Sequence, residues 1–258
     1  MPTVSRLAVT PVKGLGLLHP DELELTEQGV VENRRFYLAD SVGFLVSGID
    51  HGPLALVRPS YDPGREWLSL RFPDGTAVEG SALAGGAEVE TDFYGRRVNG
   101  RVVEGPFAEA LSSYAGRTLR LVRPDSPGEA CDVRVVTLLS DASVEELGRQ
   151  ADLEEPVDER RFRMLIGLDG CRPHEEDEWQ GRLIRLGESL VRVGGPVPRC
   201  ATTTRDPETG LRDLDTLRVI KAYRGLRDGK NIDFGVYGDV ERPGRVRVGD
   251  PVELLEED

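Results

Sequence analysis

Short apolar runs, each of strand length and each stopped by glycine or proline, dominate this sequence. With 30 glycines and 17 prolines in 258 residues, few stretches stay uninterrupted for the roughly ten to twelve residues a helix needs. Strands are predicted at Arg6–Thr10, Arg35–Ala39, Leu54–Arg58 and Trp67–Phe72. The last runs into Pro73-Asp74-Gly75-Thr76, a turn whose glycine accepts positive φ, and Ala77–Glu79 reads as its hairpin partner. Further strands are predicted at Arg96–Val103, Leu119–Arg123, Val133–Leu139, Phe162–Leu168, Leu190–Val193, Cys200–Thr204, Phe234–Glu241, Gly244–Val248 and Pro251–Leu255. Three segments read as helices: Pro106–Ala115 before Gly116, a stretch capped by Ser140 or Asp141 and ending near Gln150, and Leu214–Arg224 between Asp213 and Gly225. Strands and helices do not alternate, which disfavours a parallel βαβ sheet. The expected fold is mainly β with a few helices, in two packed β-barrel-like units. Arg123-Pro124-Asp125-Ser126-Pro127-Gly128 is the best boundary, giving units 1–123 and 124–258.

Lys plus Arg total 33 against 46 Asp plus Glu, a net charge of −13. That balance excludes the basic footprint needed for duplex nucleic acid and argues against docking on anionic lipid. No apolar run is long enough to span a membrane, and Met1-Pro2-Thr3-Val4-Ser5-Arg6 lacks a signal-peptide core. The expected location is cytoplasmic. Cys131, Cys171 and Cys200 form no CxxC pair and no His-containing cluster, so they read as free thiols rather than zinc or iron–sulfur ligands. His19, His51 and His174 read as surface or loop residues, and Glu256-Glu257-Asp258 as a solvated end.

The most informative stretch is Gly194-Gly195-Pro196-Val197-Pro198-Arg199-Cys200, a Gly/Pro loop that delivers Arg-Cys to the next segment. Arg199 beside Cys200 favours a thiolate, the form that binds metals and attacks electrophiles. A buried cysteine packing as a small hydrophobe is the equal alternative. Thr10-Pro11-Val12-Lys13-Gly14-Leu15-Gly16 is either a shallow phosphate nest or an ordinary strand end, and its spacing is not that of a P-loop. Asn33-Arg34-Arg35-Phe36 and Arg160-Arg161-Phe162-Arg163 either mark an anion pocket or offset Glu32 and Glu159. Glu175-Glu176-Asp177-Glu178-Trp179 reads as an exposed acidic turn with Trp179 tucked inward.

In order along the chain, these pieces resemble the MOSC family, shared by molybdenum cofactor sulfurases and amidoxime-reducing components. The resemblance rests on Pro11-Val12-Lys13, Asn33-Arg34-Arg35-Phe36, Leu138–Ser143, Arg161-Phe162-Arg163, Glu176–Trp179, Arg199-Cys200 with Asp206–Gly210, Phe234–Tyr237 and Val248–Val252. It implies a molybdenum cofactor (molybdopterin), with Cys200 as the metal ligand. It implies that Lys13, Arg34 and Arg163 hold the cofactor's anionic end, that Ser143 contacts it, and that Arg199 precedes the ligand. The implied activity is reduction of small N-hydroxylated or N-oxide substrates at a metal bound by Cys200. Electrons would come from a separate ferredoxin- or flavoprotein-type donor, because the chain has no iron–sulfur or flavin motif. A sulfur-transfer or cofactor carrier using a Cys200 persulfide is the alternative, and a binding module without chemistry the third. Gly14, Asn33 and Met164-Leu165 depart from the family's pattern.

Overall fold

The computed structural model describes residues 1–256; Glu257 and Asp258, the last two of the acidic end, lie outside them. Strand Thr3–Leu7 leaves its sequence neighbours and pairs antiparallel with Ile166–Asp169, across the expected boundary. From there a seven-stranded sheet runs in the order Thr3–Leu7, Ile166–Asp169, Val136–Ser140, Asp233–Arg242, Ser189–Pro198, Leu183–Leu186, Val252–Leu254. Its outermost strands come back together. Val4 N–H donates to the Asp250 carbonyl at 2.9 Å and Val252 N–H to that of Pro2 at 2.8 Å, which nearly closes the barrel. Glu22–Leu25 makes the same crossing to pair with Gly244–Arg247. The side chains follow: Val4, Leu7, Leu23 and Leu25 are buried with Val136, Leu138, Ile184, Val191 and Val236 in one core. Along Ser189–Pro198 alternate residues turn inward, as the pleat requires.

The other unit is a half-barrel. Five strands run in the order Leu45–Val46, Tyr37–Asp40, Leu119–Pro124, Arg96–Val102, Glu88–Phe93 beside a meander of Arg58–Asp62, Trp67–Arg71 and Ala77–Ser81. Helix α1 (Phe107–Ala115) closes it, burying Phe107 and Leu111 against Phe36, Leu38, Leu68 and Leu70. The mainly β, two-unit class expected from the sequence is the fold observed.

Helices α2 (Asp141–Gln150) and α3 (Thr216–Arg224) are capped by Ser140, which accepts from Ser143 N–H, and by Asp215, which accepts from Arg218 N–H. Asp213, expected just ahead of α3, instead pairs with Arg161. One parallel pair exists after all: α2 carries the chain from Val136–Ser140 to Ile166–Asp169, a single βαβ unit in an otherwise antiparallel sheet. Two predicted strands are 3₁₀ turns. Gly52–Leu56 carries Pro53 in its first turn, where a missing N–H and fixed φ are suited. In Ala201–Thr204 the hydroxyls of Thr203 and Thr204 donate back to the carbonyls of Cys200 (3.1 Å) and Ala201 (2.8 Å), competing with a sheet ladder. Phe162–Leu168 also breaks: a 3₁₀ turn over Glu159–Phe162 and left-handed Arg163 (φ 53) leave only Ile166–Asp169 as strand.

Candidate functional site: a cationic cavity shared by the two units

A cavity of about 550 Å³ is lined by Lys13, Arg34 and Tyr94 from the first unit and by Arg163, Arg199 and Cys200 from the second. Backbone pairing builds its first wall. Lys13 N–H donates to the Phe36 carbonyl at 2.8 Å and Arg34 N–H to the Thr10 carbonyl at 2.6 Å, which sets the two basic strand ends side by side. Asn33 Oδ1 accepts from Thr10 N–H at 3.1 Å and fixes that register. Gly14 (φ +90) turns the chain away next to the Ser47 backbone, a conformation that favours glycine.

The second wall comes from Arg163 and Arg199. Arg163 Nη2 donates to the Leu15 carbonyl at 2.5 Å, and Arg34 Nη2 donates to the Arg163 carbonyl at 3.1 Å. Arg199 donates to the Phe162 carbonyl, stands 5.3 Å over the Phe162 ring, and keeps a buried Nε with no partner among the described residues. The run expected as a Gly/Pro loop is instead the end of strand Ser189–Pro198, with register shifts near Gly194 and the prolines. Gly194 is required there, because a Cβ would lie 2.4 Å from the Tyr237 ring. Cys200 follows that strand and is exposed, its Sγ–H 3.4 Å from Thr202 Oγ1. The buried-cysteine alternative therefore falls for Cys200 and holds for Cys131, which is buried.

The electrostatics are lopsided. Lys13 is matched by Asp132 at 2.7 Å. Arg34, Arg163 and Arg199 bond to carbonyls or to Met164 Sδ, and none of the three has a carboxylate partner within 4.0 Å among the described residues. Burial pulls the Lys13 ammonium below its ordinary value against the opposing pull of Asp132. Burial, then Arg34, lowers Arg163 to about 10; burial likewise lowers Arg199 to about 10, against Cys200 and Asp132. In a chain of net charge −13, this is a place where positive charge is dehydrated and under-compensated. An anion entering it would relieve that cost.

Five of the six residues singled out in the sequence meet in this cavity: Lys13, Arg34, Arg163, Arg199 and Cys200. Ser143 does not line it. It is fully buried, donating to Glu176 Oε1 at 2.8 Å and accepting from His174 N–H at 2.8 Å. Glu176, expected in an exposed turn, is likewise fully buried on a 3₁₀ turn, Glu175–Trp179. His174 is half-buried with Nδ1 unpartnered, and burial lowers its pKa to about 4. Leu165 sits in the barrel core, so its departure from the family pattern does not reach the cavity. Asp132 and Tyr94 carried no signal in the sequence, because neither lies in a motif; contact alone defines them.

Among the described residues no three His, Cys, Asp or Glu side chains gather as a metal site. A metal beside Cys200 would need its other ligands from an organic group, and the dehydrated cations are suited to such a group's anionic end. Fold and cavity thus define a mainly β protein with a dehydrated cationic cavity beside one accessible thiol. The chain belongs to the MOSC family: the profile described as MOSC domain matches residues 125–253, and that described as MOSC N-terminal beta barrel domain matches residues 1–118. It is similar to mitochondrial amidoxime-reducing component 1 of Mus musculus, with 29% identity over 98% of this chain and 82% of that protein. Mitochondrial amidoxime reducing component 2 of Bos taurus is also 29% identical, over 97% of this chain and 82% of its own length. Molybdenum cofactor sulfurase of Drosophila grimshawi is 29% identical over 98% of this chain and 35% of its own length. The family ties the chain to the molybdenum cofactor.

Proposed function

We propose that this chain binds the molybdenum cofactor in the shared cavity and reduces small N-hydroxylated or N-oxide compounds with Cys200 as the metal ligand. The observation that carries the reading is the convergence of Lys13, Arg34, Arg163, Arg199 and exposed Cys200 on one cavity. Lys13, held by Asp132, and the guanidinium groups of Arg34 and Arg163 bind the cofactor's anionic end. Arg199, pinned over the Phe162 ring, presents a guanidinium in the cavity beside Cys200. When bound, the group supplies a two-electron metal centre. Reduction of an N–OH bond takes two electrons and two protons and releases water. The electrons come from a separate ferredoxin- or flavoprotein-type donor.

The test is the metal and pterin content of purified protein, followed by anaerobic reduction of an N-hydroxylated amidine with an artificial donor. Stoichiometric molybdenum and turnover lost in Cys200→Ser, but kept in Cys131→Ser and Cys171→Ser, are expected. Full turnover in Cys200→Ser removes that residue as ligand. The similarity to a molybdenum cofactor sulfurase supports a second reading, sulfur transfer. A labile persulfide on Cys200 in metal-free protein is its signature.

A further inference from the structure

The cavity has two kinds of lining. Lys13 is buried and Arg163 and Arg199 are half-buried, whereas Ile49, Tyr94 and Val133 give apolar surface over buried Phe93, flanked by exposed Arg96, Asp132 and Arg134. Tyr94 is 64% exposed, which puts it at the mouth. Its backbone is unusual. Phe93 pairs with Arg96 across a two-residue hairpin turn in which Tyr94 has φ 55 and Gly95 φ 94. Such a turn favours Asn-Gly, and a tyrosine in its first position strains the backbone without adding to the core. Its ring is nevertheless held in place. The Tyr94 hydroxyl lies 2.9 Å from Ser47 Oγ, and Ser47 is buried with its N–H donating to Asp50 Oδ2 at 2.9 Å.

We infer that Tyr94 is a substrate-binding residue that sets specificity: a tethered aromatic face at the cavity mouth that holds the flat, apolar body of an aryl N-hydroxyamidine. The inference rests on the reductase reading above. The anionic cofactor takes the cationic wall, which leaves the mouth for the substrate. A conjugated aryl amidine offers a planar π surface for offset stacking and, as an amidinium product, a cation for the ring face. Hydroxylamine, which has the same N–OH bond and no body, gains nothing from Tyr94.

The experiment compares wild type with Tyr94→Asn and Tyr94→Phe on benzamidoxime and on hydroxylamine. Asparagine suits the positive φ, so Tyr94→Asn folds with a melting temperature at or above that of wild type. In it the ratio of kcat/KM for benzamidoxime to that for hydroxylamine falls about tenfold, through KM. Binding of benzamidine, measured by calorimetry, weakens by about the same factor. Tyr94→Phe retains most of the ratio, because the ring stays. An unchanged ratio, or an unchanged benzamidine affinity, in Tyr94→Asn overturns the assignment. If wild type reduces neither substrate, the reductase reading falls, and benzamidine calorimetry still decides for or against Tyr94.

Discussion

At the residue scale, the site turns on charges whose own neighbours do not neutralise them. Arg34 donates to the Arg163 carbonyl and Arg163 to that of Leu15, so a bound phosphate is the strong acceptor that they lack. A charge-assisted bond of that kind contributes about 1.5–3 kcal/mol. Arg34→Ala and Arg163→Ala should each loosen the cofactor roughly tenfold to a hundredfold. Molybdenum and pterin content after dialysis reads this directly, and unchanged content in both variants removes these residues from the site. Local chemistry made these residues legible in the sequence. A basic residue at a strand end, or an arginine beside a cysteine, announces itself within a few positions. Asp132 and Tyr94 became visible only through contacts with Lys13 and Ser47, which lie far away in the chain.

At the element scale, Glu176 fastens the 3₁₀ turn Glu175–Trp179 to the start of α2. Its carboxylate accepts from Ser140 Oγ at 2.9 Å, Ser143 Oγ at 2.8 Å and Ser140 N–H at 3.2 Å. Glu176→Ala strands these buried donors and should cost on the order of 2–4 kcal/mol in urea unfolding. Glu176→Gln keeps an acceptor oxygen and should cost less. Burial raises the Glu176 pKa above 4.5, so the folded state holds this proton more tightly than the unfolded one. Its contribution is full below pH 4.5 and fades as pH rises through the raised value. The stability of wild type relative to Glu176→Gln should therefore shrink over that window; a flat difference denies the titration. Sequence patterning located α1 and α2 well, because apolar spacing and caps are local signals. It missed the 3₁₀ turn at Ala201–Thr204, where threonine hydroxyls override strand propensity. The family resemblance set Ser143 against the cofactor, whereas its hydroxyl is taken up by Glu176 and the His174 N–H.

At the scale of the whole molecule, the two units are not independent beads. Thr3–Leu7 completes the barrel whose other strands begin at Val136, and Glu22–Leu25, paired with Gly244–Arg247 in a separate two-stranded sheet, adds Leu23 and Leu25 to its core. A fragment 124–258 would lack Val4, Leu7, Leu23 and Leu25 from its core and expose the edges those strands cover. It should show no cooperative melt and should aggregate on a sizing column, and adding residues 1–30 as a separate peptide should recover part of the transition. A monomeric, cooperatively melting fragment would make the crossing strands dispensable. No sequence pattern announced the crossing: a half-buried strand reads the same whichever sheet it joins.

That crossing also sets a timetable. Thr3 pairs with Asp169, 166 positions later, and bridges Pro251, 248 positions later. At roughly 5–20 residues per second, the first strand waits on the ribosome for about ten to fifty seconds before its last partner emerges. Through that interval its apolar side chains have no permanent home, and the nascent chain depends on chaperones or on temporary contacts to shelter them. The barrel is therefore sealed only once Pro251 has emerged, by a strand made 248 positions earlier.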